Sequence, residues 1–148
     1  MELPMNRRDL LAAVAGTVVA AGLSPRSVEA ADHAGHPGGV HTDLIAAARG
    51  CVDVGDDCLA HCLAMFKSGD TTLAACAHAV AEMIPVCNAV AALATLGATR
   101  VGQFLGPCID VCTDCEKECR KHADKHPQCK ACADACLRLI AEAKKHAV

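Results

Sequence analysis

Residues Cys108 to Cys119 read "CIDVCTDCEKEC". The four cysteines, Cys108, Cys112, Cys115 and Cys119, fall at steps of four, three and four. Closed zinc sites usually rest on C-x-x-C pairs carried by tight loops, and this stretch holds no glycine or proline to make one. Steps of three and four return each side chain to the same face of an α-helix. The stretch therefore predicts a helix that turns a face of sulfur inward. The charged residues between the cysteines, among them Glu116, Lys117 and Glu118, lie on the solvated face, as Glu82 and Lys121 do elsewhere in the chain.

Composition agrees with a helical reading. The chain has 148 residues, enough for one domain; it is 53% hydrophobic but only 1% aromatic. Alanine dominates the apolar set, which favours helices over a sheet of β-branched and aromatic strands. A net charge of −3 gives no reason to expect nucleic acid as a partner. Twelve cysteines are present, roughly 8% of the chain and far above ordinary usage.

Residues 1–30 have the form of a signal peptide. Arg7 and Arg8 precede the apolar run Leu10–Leu23, which is shorter than the roughly 20 residues a membrane span needs. Asn6-Arg7-Arg8-Asp9-Leu10-Leu11 resembles a twin-arginine (Tat) signal, and cleavage is expected after Ala30. The mature chain is then expected in the periplasm, with no stable membrane insertion. Residues 31–41, with His33, His36 and His41 among Gly and Pro, read as a flexible tail. Cleavage after Ala30 would expose Ala31-Asp32-His33. Its amine, amide nitrogens and imidazole could hold one Cu(II) in a square plane.

Residues 42–148 read as four helices, roughly 42–66, 71–95, 99–123 and 127–146. Thr42 is the expected first cap and Asp70 or Thr71 the second, Pro127 starts the last helix, and Pro85 and Gly106-Pro107 are expected to kink or break theirs. Short loops imply antiparallel neighbours. The fold class is therefore all-α, an antiparallel up-down-up-down four-helix bundle with a cysteine-lined core. On heptads, all twelve cysteines take a or d positions: Cys51, Cys58, Cys62, Cys76, Cys87, Cys108, Cys112, Cys115, Cys119, Cys129, Cys132 and Cys136.

Such a core has three readings. Packing as small hydrophobes accounts for one or two cysteines, not twelve. Six disulfides fit the even count, but i,i+3 and i,i+4 neighbours lie about 5–6 Å apart at Cβ, against the roughly 3.5–4.5 Å a disulfide wants; only cross-helix pairs remain. A metal is the third. Zinc wants four ligands converging on a point and ferredoxin clusters use looped spacings. Cu(I) accepts two or three thiolates, so a column of thiols could hold a chain of Cu(I) ions. The rival from another class is an exported thiol/disulfide redox or disulfide-stapled helical protein. No carboxylate pair or nucleophile–base spacing points to an enzyme.

The ordered spacing of "CVDVGDDCLAHCLAM", isolated Cys76 and Cys87, "DVCTDCEKEC" and "CKACADAC" resembles the copper storage proteins of methane-oxidising bacteria, in their Tat-exported form. That resemblance implies a homotetramer of four-helix bundles. It implies multiple Cu(I) ions stored on core cysteines for later supply to a copper enzyme such as particulate methane monooxygenase. Cys108, where an aliphatic residue is expected, and Leu139 and Ala143, where relatives tend to carry further cysteines, depart from it. It also implies His61 and Met65 as ligands near a copper mouth. The bundle's ends are expected to differ. One gathers His61, Met65, Cys119, His122, His126 and Cys129. The other gathers Leu44, Val90, Ala94, Leu105, Leu139 and Ala143 as an apolar plug. His122 and His126 are expected to be polar turn residues, His78 a surface residue, and Met83 core filler.

Overall fold

The computed structural model describes residues 41–147. The signal peptide, most of the tail and the Ala31-Asp32-His33 site lie outside the described residues. Four helices follow in order: α1 (Thr42–Lys67), α2 (Ala74–Thr95), α3 (Val101–Arg120) and α4 (Pro127–His146). There is no strand among the described residues. Each helix packs on two neighbours in a closed ring, α1 on α2, α2 on α3, α3 on α4 and α4 on α1.

Side-chain contacts fix the direction of three neighbouring pairs, and the direction of α3 against α4 follows from them. Cys51 meets Met83 while Cys58, further along α1, meets Cys76, earlier on α2. Cys76 meets Cys119 while Cys87 meets Cys112. Cys51 meets Cys136 while Cys58 meets Cys129. In each pair, moving forward on one helix moves backward on its partner, so these neighbours are antiparallel.

The helix ends correct several expectations. Thr42 is the first residue of α1 rather than its cap; His41 holds the cap position without a side-chain bond. Asp70 accepts a hydrogen bond at 2.9 Å from the Thr72 amide, so it caps the turn, and α2 starts later, at Ala74. α3 stops at Arg120 because the chain tightens: the His122 amide bonds Cys119 O, three residues back, at 3.0 Å. Gly97, at φ +61°, closes α2 as only glycine does at no steric cost, with the Ala98 amide reaching back to Leu93 O at 2.9 Å. Helical structure continues through both Pro85 and Pro107. The carbonyls that lose a donor, on Ala81 and Gln103, belong to exposed residues and can meet water instead.

The core is one cluster of Leu, Val, Ala, Met and all twelve cysteines, with no buried charged or polar residue among those described. Among the described helices, α2 alone is long and apolar enough to cross a membrane. Its buried row Cys76, Val80, Met83, Cys87, Val90 and Ala94 faces the other three helices, as a core helix does. Ion pairs such as Arg120 to Glu116 and Asp134, and Lys121 to Glu118, sit on the outer faces.

Candidate metal centre

The inward row of each helix sets the site. Cys51, Cys58 and Cys62 come from α1, Cys76 and Cys87 from α2, Cys108, Cys112, Cys115 and Cys119 from α3, and Cys129, Cys132 and Cys136 from α4. Every one is fully buried and every one is a free thiol. The heptad pattern brings them inward because each occupies the buried face of its helix.

The sulfurs form a network across helices. Cys76 and Cys119 are 3.4 Å apart, Cys87 and Cys112 3.6 Å, Cys115 and Cys132 3.7 Å, and Cys51 and Cys136 3.8 Å. Cys129 lies 3.8 Å from Cys76 and 3.9 Å from Cys58, and Cys115 lies 3.9 Å from Cys119 on its own helix. Four groups have all three sulfurs within 4.8 Å of one another: Cys51/Cys87/Cys112, Cys58/Cys76/Cys129, Cys58/Cys119/Cys132 and Cys115/Cys132/Cys136. Cys58 and Cys132 each belong to two groups, which links three of them into a chain. Cys136, 3.8 Å from Cys51, brings in the fourth. Metal–thiolate bonds near 2.3 Å, as for zinc, put sulfurs about 4.0 Å apart around a three-coordinate ion. The spacing is therefore right for soft ions held by two or three bridging sulfurs.

Cys62 and Cys108 stand outside these groups. They lie at opposite ends of the sulfur column and differ in acidity. Burial pushes the Cys62 thiol up to about 11. It likewise pushes Cys129, on the same layer, up to about 12. Cys108 is held down to about 4 by hydrogen bonding from Cys112 and Cys87. Cys76 is held down to about 3 by Cys119 and Cys58. A thiolate that accepts S–H bonds is stabilised; a buried thiol without enough of them stays protonated.

Met83 is buried in the core, as expected, and its sulfur lies 3.5 Å from Sγ of Cys51, a member of the Cys51/Cys87/Cys112 group. Gly55 makes room for it: a Cβ there would come within 2.8 Å of the Met83 terminal methyl and 3.2 Å of Ile84 Cγ1.

Near the end of α1, His61 is half-buried and its Nε2 lies 2.9 Å from His126 Nδ1. The His122 ring stands edge-on to His126 with centroids 6.4 Å apart. Met65, one turn beyond His61, is half-buried against the core. His61 thus meets a partner that sequence reading left as a turn residue. The Cys58–Cys129 contact between antiparallel helices puts position 61 opposite position 126. His78 stays on the surface beside Glu82, 3.6 Å away. At the other end Leu44, Val90, Ala94, Leu105, Leu139 and Ala143 are all buried.

Among curated proteins, none matches the chain. Residues 39–148 do match a family, and the match spans all four helices and all twelve cysteines. That match covers well over half of the chain, and the chain belongs to the copper storage protein (Csp) family.

Proposed function

We propose that the chain stores multiple Cu(I) ions on its twelve core thiolates and is not an enzyme. The observation that carries this reading is the linked set of three-sulfur groups, in which Cys58 and Cys132 are each shared by two groups. Shared sulfurs suit Cu(I), which tolerates two- or three-coordination and bridging thiolates, better than Zn(II), which wants four closed ligands. Each ion also offsets negative charge that its thiolates would otherwise bury. An anaerobic Cu(I) titration against a competing chelator tests it. Roughly one copper per cysteine, about twelve per chain, is expected. Saturation near three ions with a preference for zinc would overturn it. Thiol counting on fresh metal-free protein separates storage, with about twelve free thiols, from the rival redox or disulfide-stapled reading, with few or none.

The finer features belong to the same proposal. His61 and Met65 act as Cu(I) ligands at the mouth, because they flank the end of the column where His122 and His126 also gather. The protein is exported by the Tat pathway to the periplasm, as Arg7-Arg8 and the following apolar run suggest. Ala31-Asp32-His33 is a separate Cu(II) site if cleavage falls after Ala30; a mature chain that starts elsewhere removes it. Leu63, Phe104 and Leu137 are about half exposed on the outer faces, in keeping with a homo-oligomer, a tetramer by resemblance. A copper enzyme receives the metal.

A further inference from the structure

Of the two methionines among the described residues, Met65 is half-buried and Met83 lies wholly inside the core. The Cys51 thiol donates a hydrogen bond to Met83 Sδ at 3.5 Å. That bond says more than burial does. It aims a lone pair of the thioether at the position of the Cys51 proton, and that proton is what a metal ion displaces when it binds a cysteine. Cys51 belongs with Cys87 and Cys112 to one of the three-sulfur groups, and Cys87 follows Met83 by one turn of α2.

The surroundings seat the thioether in this pose. Met83 lies between Val80 and Cys87 on the buried row of α2. Its terminal methyl fills the space over Gly55, where a Cβ would come within 2.8 Å of it. Glycine inside a helix is unfavourable by roughly 1 kcal/mol relative to alanine, and here it leaves the room that the methionine occupies. Packing alone asks only for hydrocarbon, which Val80 and Val90 supply on the same row.

Reach and charge fit Cu(I). Two sulfurs bonded at about 2.3 Å to one ion, as for zinc, lie about 3.5 Å apart when the angle at the metal is about 100°, and about 4.0 Å apart at the trigonal angle. Met83 and Cys51 already stand at the first separation, and the flexible methionine side chain covers the difference. A thioether is a soft donor of the kind that selects Cu(I). It is also neutral. One thiolate and one thioether on a Cu(I) ion make an uncharged unit. A second thiolate would leave a net negative charge in a core that holds no buried charged residue among those described.

We infer that Met83 is itself a Cu(I) ligand, its Sδ sharing with Cys51 an ion of the Cys51/Cys87/Cys112 group. The inference rests on the Cu(I) storage reading above and adds to the thiol column a donor that needs no deprotonation.

The test is selenium X-ray absorption on the full chain, made with selenomethionine and loaded anaerobically with Cu(I). Selenium then stands in the place of Sδ, so a methionine ligand shows a copper neighbour at bonding distance. Met65→Leu removes the other described methionine and should keep that copper signal. Met65→Leu combined with Met83→Leu should lose it. Leucine is close to methionine in volume, a swap that cores tolerate, and circular dichroism confirms that the variants share the parent's helix content. Copper measured in the same samples separates the two readings. Copper bound without a selenium neighbour in Met65→Leu overturns the Met83 ligand and leaves the thiol store standing. An equal copper signal in the double variant overturns it as well, since another methionine would then be the source. No copper bound in the parent overturns the store, and the Met83 site with it.

Discussion

The two ends of this bundle are made from the same four helices and behave as different materials. At the mouth, His61, His122, His126 and half-buried Met65 sit over the layer of Cys58, Cys76, Cys119 and Cys129. At the closed end, Leu44, Val90, Ala94, Leu105, Leu139 and Ala143 fill the core with hydrocarbon. One end carries imidazoles and a thioether beside the sulfur column; the core of the other is hydrocarbon. If copper enters as proposed, the first end carries the traffic and the second contributes stability.

The largest expected effect is on stability. Leu139→Ala at the closed end removes a fully buried leucine and should cost about 2–5 kcal/mol in the metal-free protein. Met65→Ala at the mouth, where the side chain is only half-buried, should cost about 1 kcal/mol or less. Chemical denaturation of both variants compares the ends directly, and equal losses would erase the distinction.

Acidity divides the column next. Burial keeps Cys62 and Cys129 protonated at neutral pH, with values up to about 11 and about 12. A Cu(I) ion bound there must displace a proton, so its affinity falls as pH falls, about tenfold or 1.4 kcal/mol per pH unit for each proton released. Cys108, held down to about 4, is already a thiolate across pH 6–8 and contributes no slope there. Chelator competition at pH 6 and pH 8 should show the slope reduced by Cys62→Ala and kept by Cys108→Ala. The reverse pattern would mean that burial does not set the order of acidity.

Kinetics sharpen the comparison further. His61→Ala and Met65→Ala should slow Cu(I) uptake several-fold, on the order of 1 kcal/mol in the barrier, while total copper per chain changes by no more than the ions those side chains touch. Stopped-flow uptake from a coloured Cu(I) chelate measures this. Unchanged rates in both variants would mean that copper does not enter past them. The smallest effect concerns the middle of the bundle. Gly55→Ala gains helix propensity of roughly 1 kcal/mol but pushes a Cβ to 2.8 Å from the flexible end of Met83. The two should nearly cancel in stability. The disturbance should appear instead in the Cys51/Cys87/Cys112 group beside Met83, as a change in the ultraviolet charge-transfer bands of bound Cu(I).

Much of this was legible in the chain itself. The 4-3-4 cysteine steps, the alanine-rich composition and the short loops determine an all-α bundle with sulfur inside, because a helix repeats every 3.6 residues and a buried face must repeat with it. The unlike ends follow from the same register. The family resemblance rests on that ordered spacing, and it is the family that residues 39–148 match. Helix limits were less legible at Thr42, Asp70 and Arg120, where a hydrogen bond of the turn rather than a residue's preference decides the boundary.

Tertiary structure alone decided which sulfurs meet. Heptad positions place Cys76 and Cys119 on inward faces but say nothing of the 3.4 Å between them, nor that Cys58 and Cys132 are each shared between two groups. It also decided that Met83 reaches Cys51 through the gap left by Gly55, that His126 pairs with His61, and that His41 finds His146. Periodicity along one helix fixes an angle about its own axis. The distance between side chains on different helices depends on how far each helix slides and turns against its neighbours, and packing sets that only once all four are together.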